Sequence, residues 1–341
     1  MSENIIGGPS GAPSALGDRT AADLSAPWFT QASVDTERAR RLRAAFEPIA
    51  ASVYFAPEVH DAFEAAGFGP PTIADGCLPL ADLPAYFCSR AGCIGQVSGH
   101  VVVAAFGVFN PELVIPNVER GWQTADCDTV LAIRLAGQTA ALQNVLGGRP
   151  GVERATEILL RAGDACSDSG RFLYAGLRSL PLPNPGWGRL WRAADIIREY
   201  RGDCHITAWV AAGLDPVEAG LMTEIYYQMP TKYYHSGRGW RPSQLDAGLD
   251  RLRRRGWIDG DPVVFTSDGR AVREWIEAST NAQQQPVLDA IGRDYDELLG
   301  YLEPWASAIV AASYYPSDIR QLPPAWGQLP DLDAKRSAIG R

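Results

Sequence analysis

The stretch GWIDGDPVVFTSDGRAVREWIEA, residues 256–278, contains several secondary-structure signals in succession. A short apolar run is followed by a turn rich in Asp, Gly and Pro, and then by a second apolar run. Two such runs joined by turn residues are typical of a small hairpin. The spacing of apolar residues after Thr266 is helical. The stretch therefore predicts a strand, a turn, a second strand and a helix.

The residues before this stretch predict helices. The segments concerned are 189–200, 204–212, 215–226 and 241–255. Asp215 followed by proline is typical of a helix N-terminus, and Ser243 is the expected cap of the last of these helices. Helices followed by a two-stranded wing and another helix are the plan of a winged-helix domain. We expect this domain over 189–312, with C-terminal helices that could support association between chains.

The N-terminal half predicts a separate helical domain. Apolar residues recur at helical spacing in the segments 35–52, 57–66, 126–146, 152–168 and 170–179. For HVVVAAFGVF, 100–109, periodicity does not decide between a buried strand and a helix, and we favour a helix because no turn-closed partner strand is visible and its neighbours are helical. LPLPNPGWG at 180–188 is the strongest break in the chain and the expected domain boundary. We therefore expect a mainly α protein with a helical domain over 34–180. Residues 1–33 are expected to form a flexible arm, and 313–341 an irregular tail.

Composition excludes several functional classes. The chain has 341 residues, 46% of them hydrophobic and 21% charged, as in ordinary globular proteins. Its net charge of −9 does not supply the basic field that dominates nucleic-acid affinity. Neither a secretory signal nor an apolar run of about 20 residues is visible, so we expect a cytoplasmic protein without membrane association. No glycine-rich phosphate motif is present, and no cofactor is expected.

Four segments of the sequence resemble a known family. They are RRLRAAFEPIAASVYFAPEVHDAFEAAGF, LAIRLAGQTAALQNVLG, LWRAADIIREYRGDCHITAWVAAGLDPVEAGLM and LDRLRRRGWIDGDPVVFTSDGRAVREWIEAST. They are similar to an actinobacterial family of SalK-like helix-turn-helix proteins, mostly uncharacterised and often encoded near specialised-metabolite pathways. The resemblance covers about 36–312, and its most specific part is Arg201 to Asp215. The chain departs from the family pattern at Ala50, where a histidine follows Glu-Pro-hydrophobic in relatives.

The second half also resembles the winged helix of MarR-type multidrug-resistance regulators. This resemblance rests on LDRLRRRGWI and FTSDGRAV. It implies that a recognition helix would contact DNA as part of a dimer. Arg251 and Arg253 are basic residues near the end of that helix, but Asp246 and Asp250 occupy the part that normally reads bases.

The stretch REYRGDCH, 198–205, is the densest polar segment of the chain. An imidazole at His205 oriented by Asp203 could transfer protons near neutral pH. Arg201 or Arg198 could hold an anionic group of a substrate. Alternatively, Asp203 would cap the helix 204–212 and His205 would pack in its first turn. Both interpretations stay open at this point.

The segment 226–240 is rich in aromatic residues and longer than the usual turn of a winged helix. Tyr233, Tyr234 and His235 could contact a small molecule as part of a lid, although a plain packing loop is the alternative. The loop 68–98 is a second expected pocket wall, and we expect it to share a cavity with 198–205. His100 would then lie near His205.

The histidines and cysteines do not form a metal motif. A metal site would need His60, His100 or His235 to converge from distant segments, and no metal is predicted. Cys88 or Cys93 with a distant histidine could be a nucleophile, but buried inert thiols are the preferred interpretation.

Two functional hypotheses follow. The first is a cofactor-independent enzyme, or enzyme subunit, of specialised metabolism that uses acid–base chemistry for a cyclisation, elimination or hydrolysis. Its partner would be a small-molecule substrate, and a homodimer or heterodimer is possible. The alternative is a ligand-responsive, MarR-like transcriptional regulator that binds DNA.

Overall fold

The computed structural model describes residues 35–323 and 326–329. The first helices are α1 (Thr36–Ala51), α2 (Pro57–Ala65), α3 (Leu83–Ala91), α4 (Gly99–Phe106), α5 (Pro111–Thr124), α6 (Cys127–Leu146), α7 (Val152–Asp164) and α8 (Phe172–Ser179). They are followed by α9 (Trp187–Ala211), α10 (Pro216–Tyr226), α11 (Tyr233–Ser236), α12 (Pro242–Arg254), strands β1 (Ile258–Asp259) and β2 (Val264–Phe265), α13 (Ser267–Ala282), α14 (Gln285–Ile291) and α15 (Tyr295–Ala311). The arm predicted at 1–33 lies outside the described residues.

Local signals explain where the helices begin. The Asp35 carboxylate accepts a hydrogen bond from the backbone N–H of Arg38 at 3.0 Å, and Asp126 accepts one from Thr129 at 2.8 Å. Such N-caps satisfy amides that have no partner inside the helix. Helix α5 was not expected from the sequence. Asn110 caps it and Pro111 is its first residue, which is the same Asx-Pro signal that located α10.

Helix α9 is the centre of the fold. It packs against α1, α6, α7, α8 and α13. Two helices, 189–200 and 204–212, were predicted here, and this was wrong because the helix continues through Gly202 and Asp203. Glycine and aspartate are poor helix formers, but contacts with five other helices outweigh that preference. Asp203 is therefore not an N-cap.

The helix-turn-helix segment consists of α10, α11 and α12. Asp215 and Glu218 form a capping box at the start of α10. Helix α12 packs on α10 so closely that a Cβ on Gly248 would lie 2.5 Å from the Val217 side chain. Ser243 was expected to cap α12 but lies inside it, because the helix begins at Pro242.

A short antiparallel wing follows α12. Ile258 pairs with Phe265, and Asp259 pairs with Val264. Helix α13 then begins with Thr266 as its cap, whose hydroxyl accepts from the amide of Gly269 at 3.1 Å. The predicted mainly α fold with a small β wing is confirmed.

Two apolar clusters form the interior. The main core includes Phe46, Leu159, Trp191 and residues of α14 and α15, and the wing core lies between Ala208 and Ile276. Helix α9 contributes to both clusters, and the change from one to the other falls between Cys204 and Ala208. The domain boundary predicted at 180–188 stays a prediction.

The described part of the tail is largely irregular. It contains one 3₁₀ turn at Ile319–Gln321. The buried indole of Trp326 donates to the carbonyl oxygen of Ala81 at 2.9 Å. Among the helices of the described ranges, none is both long and apolar enough to cross a membrane.

Candidate functional site

A cavity of about 300 Å³ lies beside the middle of α9. Its wall is formed by α1, α3, α9, α10 and α13, together with the segments 106–109 and 234–238. Six arginines of the described chain line it: Arg43, Arg90, Arg198, Arg201, Arg238 and Arg273. Three glutamates line it as well: Glu47, Glu199 and Glu277. Six guanidinium groups against three carboxylates leave an excess of positive charge in a partly enclosed space.

Glu199 lies between two of these arginines. Both of its oxygens accept from Arg90 at 2.8 Å, and Oε1 also accepts from Arg198 at 2.7 Å. Arg198 reaches Glu47 at 3.1 Å. Burial raises the pKa of Glu199, but the two arginines outweigh burial and lower it to about 2. Two cations and two anions therefore compensate one another on this side of the cavity.

Glu277 is shared between two other arginines. Its Oε1 lies 2.7 Å from Nη1 of Arg273, and its Oε2 lies 3.6 Å from Nη2 of Arg201. Nη2 of Arg201 also donates to the amide oxygen of Asn281 at 3.2 Å. Burial raises the pKa of Glu277, but Arg273 and its other charged neighbours outweigh this effect and lower it. A single ionised carboxylate thus faces two guanidinium groups.

Arg43 and Arg238 have no carboxylate partner within 4 Å among the described residues. Burial and the charge of Arg43 lower the pKa of Arg201. Arg238 lies over the rings of Phe109 and Tyr234, with its guanidinium carbon 4.9 and 4.1 Å from their centroids. Neither arginine forms an ion pair among the described residues. Burial lowers the pKa of Arg43, but Glu47 and other neighbours outweigh the effect of burial and raise it.

Several buried polar atoms at the cavity wall lack hydrogen bonds. The donors Arg201 Nε, Trp209 Nε1 and Arg238 Nε have no partner in the described part of the chain, and neither has the acceptor His235 Nδ1. A buried donor without a partner destabilises the fold by about 1–3 kcal/mol. A bound molecule with acceptor groups would remove this cost.

His205 lies at the cavity wall with a defined tautomer. The Thr280 hydroxyl donates to the carbonyl oxygen of Ile276 at 2.8 Å, so its oxygen accepts from Nδ1 of His205 at 3.1 Å. The hydrogen is therefore on Nδ1, and Nε2 keeps a lone pair. Burial lowers the pKa of His205 to about 3, so the imidazole is neutral at pH 7.

Asp203 does not orient His205. Side chains two positions apart on a helix do not face each other, and the expected pair required a break in α9. Oδ2 of Asp203 instead accepts from the backbone N–H of Tyr174 at 3.0 Å, at the start of α8. Burial raises the pKa of Asp203 to about 7. The predicted Asp203–His205 pair is thus wrong in its geometry.

The other residues predicted from the sequence divide into two groups. Tyr234 and His235 line the cavity. Tyr233 lies at a separate small depression beside Leu80, and His100 is exposed at the start of α4. The expected position of His100 near His205 is wrong, because α4 turns that side chain outward. The segment 68–98 does share the cavity with 198–205, through Tyr86 and Arg90.

The segment 228–240 is held in place by a buried glutamate. Glu224 accepts from the backbone amides of Lys232 and His235 at 2.6 and 2.7 Å. His235 donates from Nε2 to the carbonyl oxygen of Pro216 at 2.9 Å. A Cβ on Gly220 would lie 2.0 Å from the His235 ring. These contacts hold the segment, which contains α11, against α10 as part of the cavity wall, and its role as a lid stays a prediction.

Further cavity residues were not expected from the sequence. Arg43, Arg90, Arg238 and Arg273 belong to four different elements, and only the fold brings them together. The apolar wall is likewise formed by distant residues: Phe106, Val108, Phe109, Ile206 and Trp209.

A second depression, of about 620 Å³, opens between the segment 92–95 and α8. It is lined by Cys93, Cys127 and Phe172, and Cys93 is the one residue there that the sequence offered as a possible nucleophile. Burial raises the pKa of the Cys93 thiol. In the ranges 35–323 and 326–329, no three His, Cys, Asp or Glu side chains are grouped closely enough to hold a metal ion.

The exposed face of α12 has mixed charge. Asp246 pairs with Lys232, and Asp250 lies 3.4 Å from Arg253. Arg251 is bound to Asp215 at 2.6 Å. The wing adds the exposed Asp259 and Asp261. This surface differs from the basic faces that contact phosphates.

A comparison with known protein families identifies one match. The model of a helix-turn-helix family covers residues 39–316 of the chain. No curated protein and no solved structure matches it. The family match spans the main core, the cavity residues, the helix-turn-helix segment and the wing. The chain therefore belongs to this helix-turn-helix family.

Proposed function

We propose that this protein binds a small organic molecule in the arginine-rich cavity, and that the helix-turn-helix segment forms part of the binding site. The observation that carries the proposal is the set of unpartnered buried polar atoms at the wall of a cavity of about 300 Å³. This volume is within the range of small-molecule sites. Residues of α10 and α13 contact the same space as residues of α1 and α3.

The position of the cavity supports a role in ligand response. Ala219, Gly220 and Thr223 of α10 form one wall, and α10 is the helix on which α12 packs. A ligand that contacts α10 would therefore change the free energy of any movement of α12. Such coupling requires different affinities for the two positions of the helix-turn-helix.

Filling the cavity should abolish binding. A Cβ on Gly202 meets only its own helix neighbour Glu199, at 3.5 Å, so Gly202→Leu would place a side chain in the cavity. Gly300→Leu is the matched control, because Gly300 lies on an exposed helix position with no neighbour within 4 Å. Calorimetric titration with a panel of small aromatic acids, amides and amines measures binding. We expect the wild type and Gly300→Leu to bind a member of the panel and Gly202→Leu not to bind it. Equal binding by Gly202→Leu would contradict the proposal.

DNA binding is the second candidate, and the family membership favours it. Because the charges on α12 are mixed and the wing is acidic, we expect any affinity for duplex DNA to be weak. In a gel-shift assay with the DNA upstream of its own gene, a regulator would bind at low salt, and Arg253→Gln would weaken that binding. A role in specialised metabolism and a cytoplasmic location stay predictions from the sequence.

Acid–base catalysis stays a prediction, and His205 is the residue that could perform it. Its Nε2 lone pair is available at the cavity wall, and Asp203 does not take part. An imidazole with a pKa of about 3 is a weak base at pH 7. If the protein converts a bound compound, His205→Gln should abolish product formation followed by mass spectrometry while binding persists. Undiminished conversion would exclude this role.

A further inference from the structure

We infer that the molecule bound in this cavity is an organic anion whose carboxylate or phosphoryl oxygens lie between Arg43 and Arg201. The inference rests on the proposed function, since it names the chemical class of the ligand for the same cavity. It depends on how charge is distributed among the groups that line the cavity.

The first step is the charge balance near Arg201. Glu277 is the nearest carboxylate, and it is bound more closely to Arg273, at 2.7 Å, than to Arg201, at 3.6 Å. Arg43 lines the same cavity and its charge acts on Arg201, while Glu47, and more weakly Glu277, act on Arg43. Arg201 and Arg273 therefore share Glu277, and Arg43 is left with Glu47, which is already bound to Arg198.

Arg201 and Arg43 have free hydrogen-bonding capacity. Arg201 uses Nη2 for Asn281, and its buried Nε has no partner among the described residues. The guanidinium of Arg43 donates no hydrogen bond to the described residues, and no carboxylate lies within 4 Å of it. Guanidinium groups bind carboxylate and phosphate oxygens through short charge-assisted hydrogen bonds. A buried charge is unfavourable unless opposite charges compensate it, and a bound anion would add to the compensation that Glu277 gives Arg201 and Glu47 gives Arg43.

The remaining wall of the cavity determines which ligand body fits beside the anionic group. The apolar wall formed by Phe106, Phe109 and Trp209 accepts a ring or a conjugated chain. The indole N–H of Trp209 is a further unpartnered donor. Nε2 of His205 is an acceptor, so a hydroxyl or N–H group on the ligand can donate to it. The cavity thus fits an anion with an apolar body and at least one polar substituent.

The experiment compares molecules of equal shape and different charge. The probes are 1-naphthoate, 1-naphthamide and 1-naphthyl phosphate, each titrated calorimetrically into the full chain. We expect at least one of the two anions to bind about 10- to 100-fold more tightly than the amide, the range that a charge-assisted hydrogen bond contributes. The anion that binds more tightly identifies the carboxylate or the phosphoryl group as the preferred chemistry.

Variants locate the anionic group. Arg43→Gln and Arg201→Gln should each weaken binding of the preferred anion about 10-fold or more and leave binding of the amide unchanged. Arg41→Gln is the matched control, because Arg41 lies on the same helix, is 52% exposed and pairs with Glu303 outside the cavity. Circular dichroism of each variant verifies that it is folded.

The outcomes separate this inference from the proposed function. If the amide binds as tightly as both anions and Gly202→Leu abolishes that binding, the cavity is a ligand site but not an anion site, and the inference is overturned. If anions bind and Gly202→Leu has no effect, both proposals are overturned. Anion binding that is lost in Gly202→Leu and in both arginine variants supports both.

Discussion

At the scale of single residues, neighbouring side chains of α9 face different parts of the molecule: Arg198, Arg201 and His205 line the cavity, whereas Asp203 binds the start of α8. The polar stretch 198–205 predicted Arg198, Arg201 and His205, and all three line the cavity. Their spacing did not predict which neighbour each would contact. Asp203 was assigned to His205 because the two are adjacent in sequence, but helical geometry turns it toward α8. Arg43 and Arg273 carry no local signal, since an arginine on a helix is normally solvated.

Titration of Asp203 should make the free energy of unfolding vary with pH. Burial raises its pKa to about 7 in the folded chain, against about 4 when unfolded. Between these values the folded state holds the extra proton, so raising the pH across this window destabilises the wild type. Asp203→Asn keeps an acceptor for Tyr174 and does not titrate. We expect the variant to gain stability over the wild type by about 1.4 kcal/mol per pH unit from pH 4 to 7.

Urea unfolding of the two proteins at several pH values measures this difference. Taking the difference removes the titration of His205 and the other common groups. Above about pH 8 it should be constant, because Asp203 is then ionised in both states of the wild type. A difference that is flat from pH 4 to 7 would mean that Asp203 is ionised throughout.

At the scale of secondary structure, caps and apolar spacing predicted whether most segments are helix or strand. They did not predict where a helix continues without a break. The wing and α12 were predicted close to their observed bounds, because turn residues and apolar spacing are local. The division of α9 was wrong, since Gly202 and Asp203 are weak breaks and the packing of α9 is not visible in the sequence. Helix α5 was missed although Asn110 and Pro111 mark its start.

A substitution at Gly202 tests the continuity of α9. In a helix interior, alanine is more favourable than glycine by about 1 kcal/mol. The new Cβ would meet only the Glu199 side chain at 3.5 Å. We therefore expect Gly202→Ala to raise the free energy of unfolding by up to about 1 kcal/mol, as should Gly300→Ala in α15. Thermal denaturation followed by circular dichroism measures both.

Gly137→Ala is the contrasting variant. Its Cβ would lie 2.9 Å from the Cα of Val59, where backbone atoms cannot move aside, so this variant should be destabilised. Stabilisation at Gly300 without stabilisation at Gly202 would indicate that residues 200–204 are not helical in solution.

At the scale of the whole molecule, α9 connects the main core to the wing core. The division into two domains at 180–188 stays a prediction, and residues of the main core and of the wing core meet within this one helix. Helix α13, which follows the wing, also packs on α1. The cavity and its ion pairs join the same parts, since Arg198 of α9 binds Glu47 of α1. The described residues from Asp35 onward form one compact unit.

This arrangement predicts a single cooperative unfolding transition. Leu159 lies in the main core and Leu252 in the wing core, both fully buried. Leu159→Ala and Leu252→Ala should each destabilise the protein by about 2–5 kcal/mol. Because α9 belongs to both cores, loss of either core removes contacts that hold the other, and each variant should shift one common transition. Urea unfolding followed by circular dichroism and by tryptophan fluorescence should then give coincident curves for both variants. A biphasic curve for Leu252→Ala, with the main core unaffected, would instead support the division at 180–188, and ligand binding would then have to act across a domain interface.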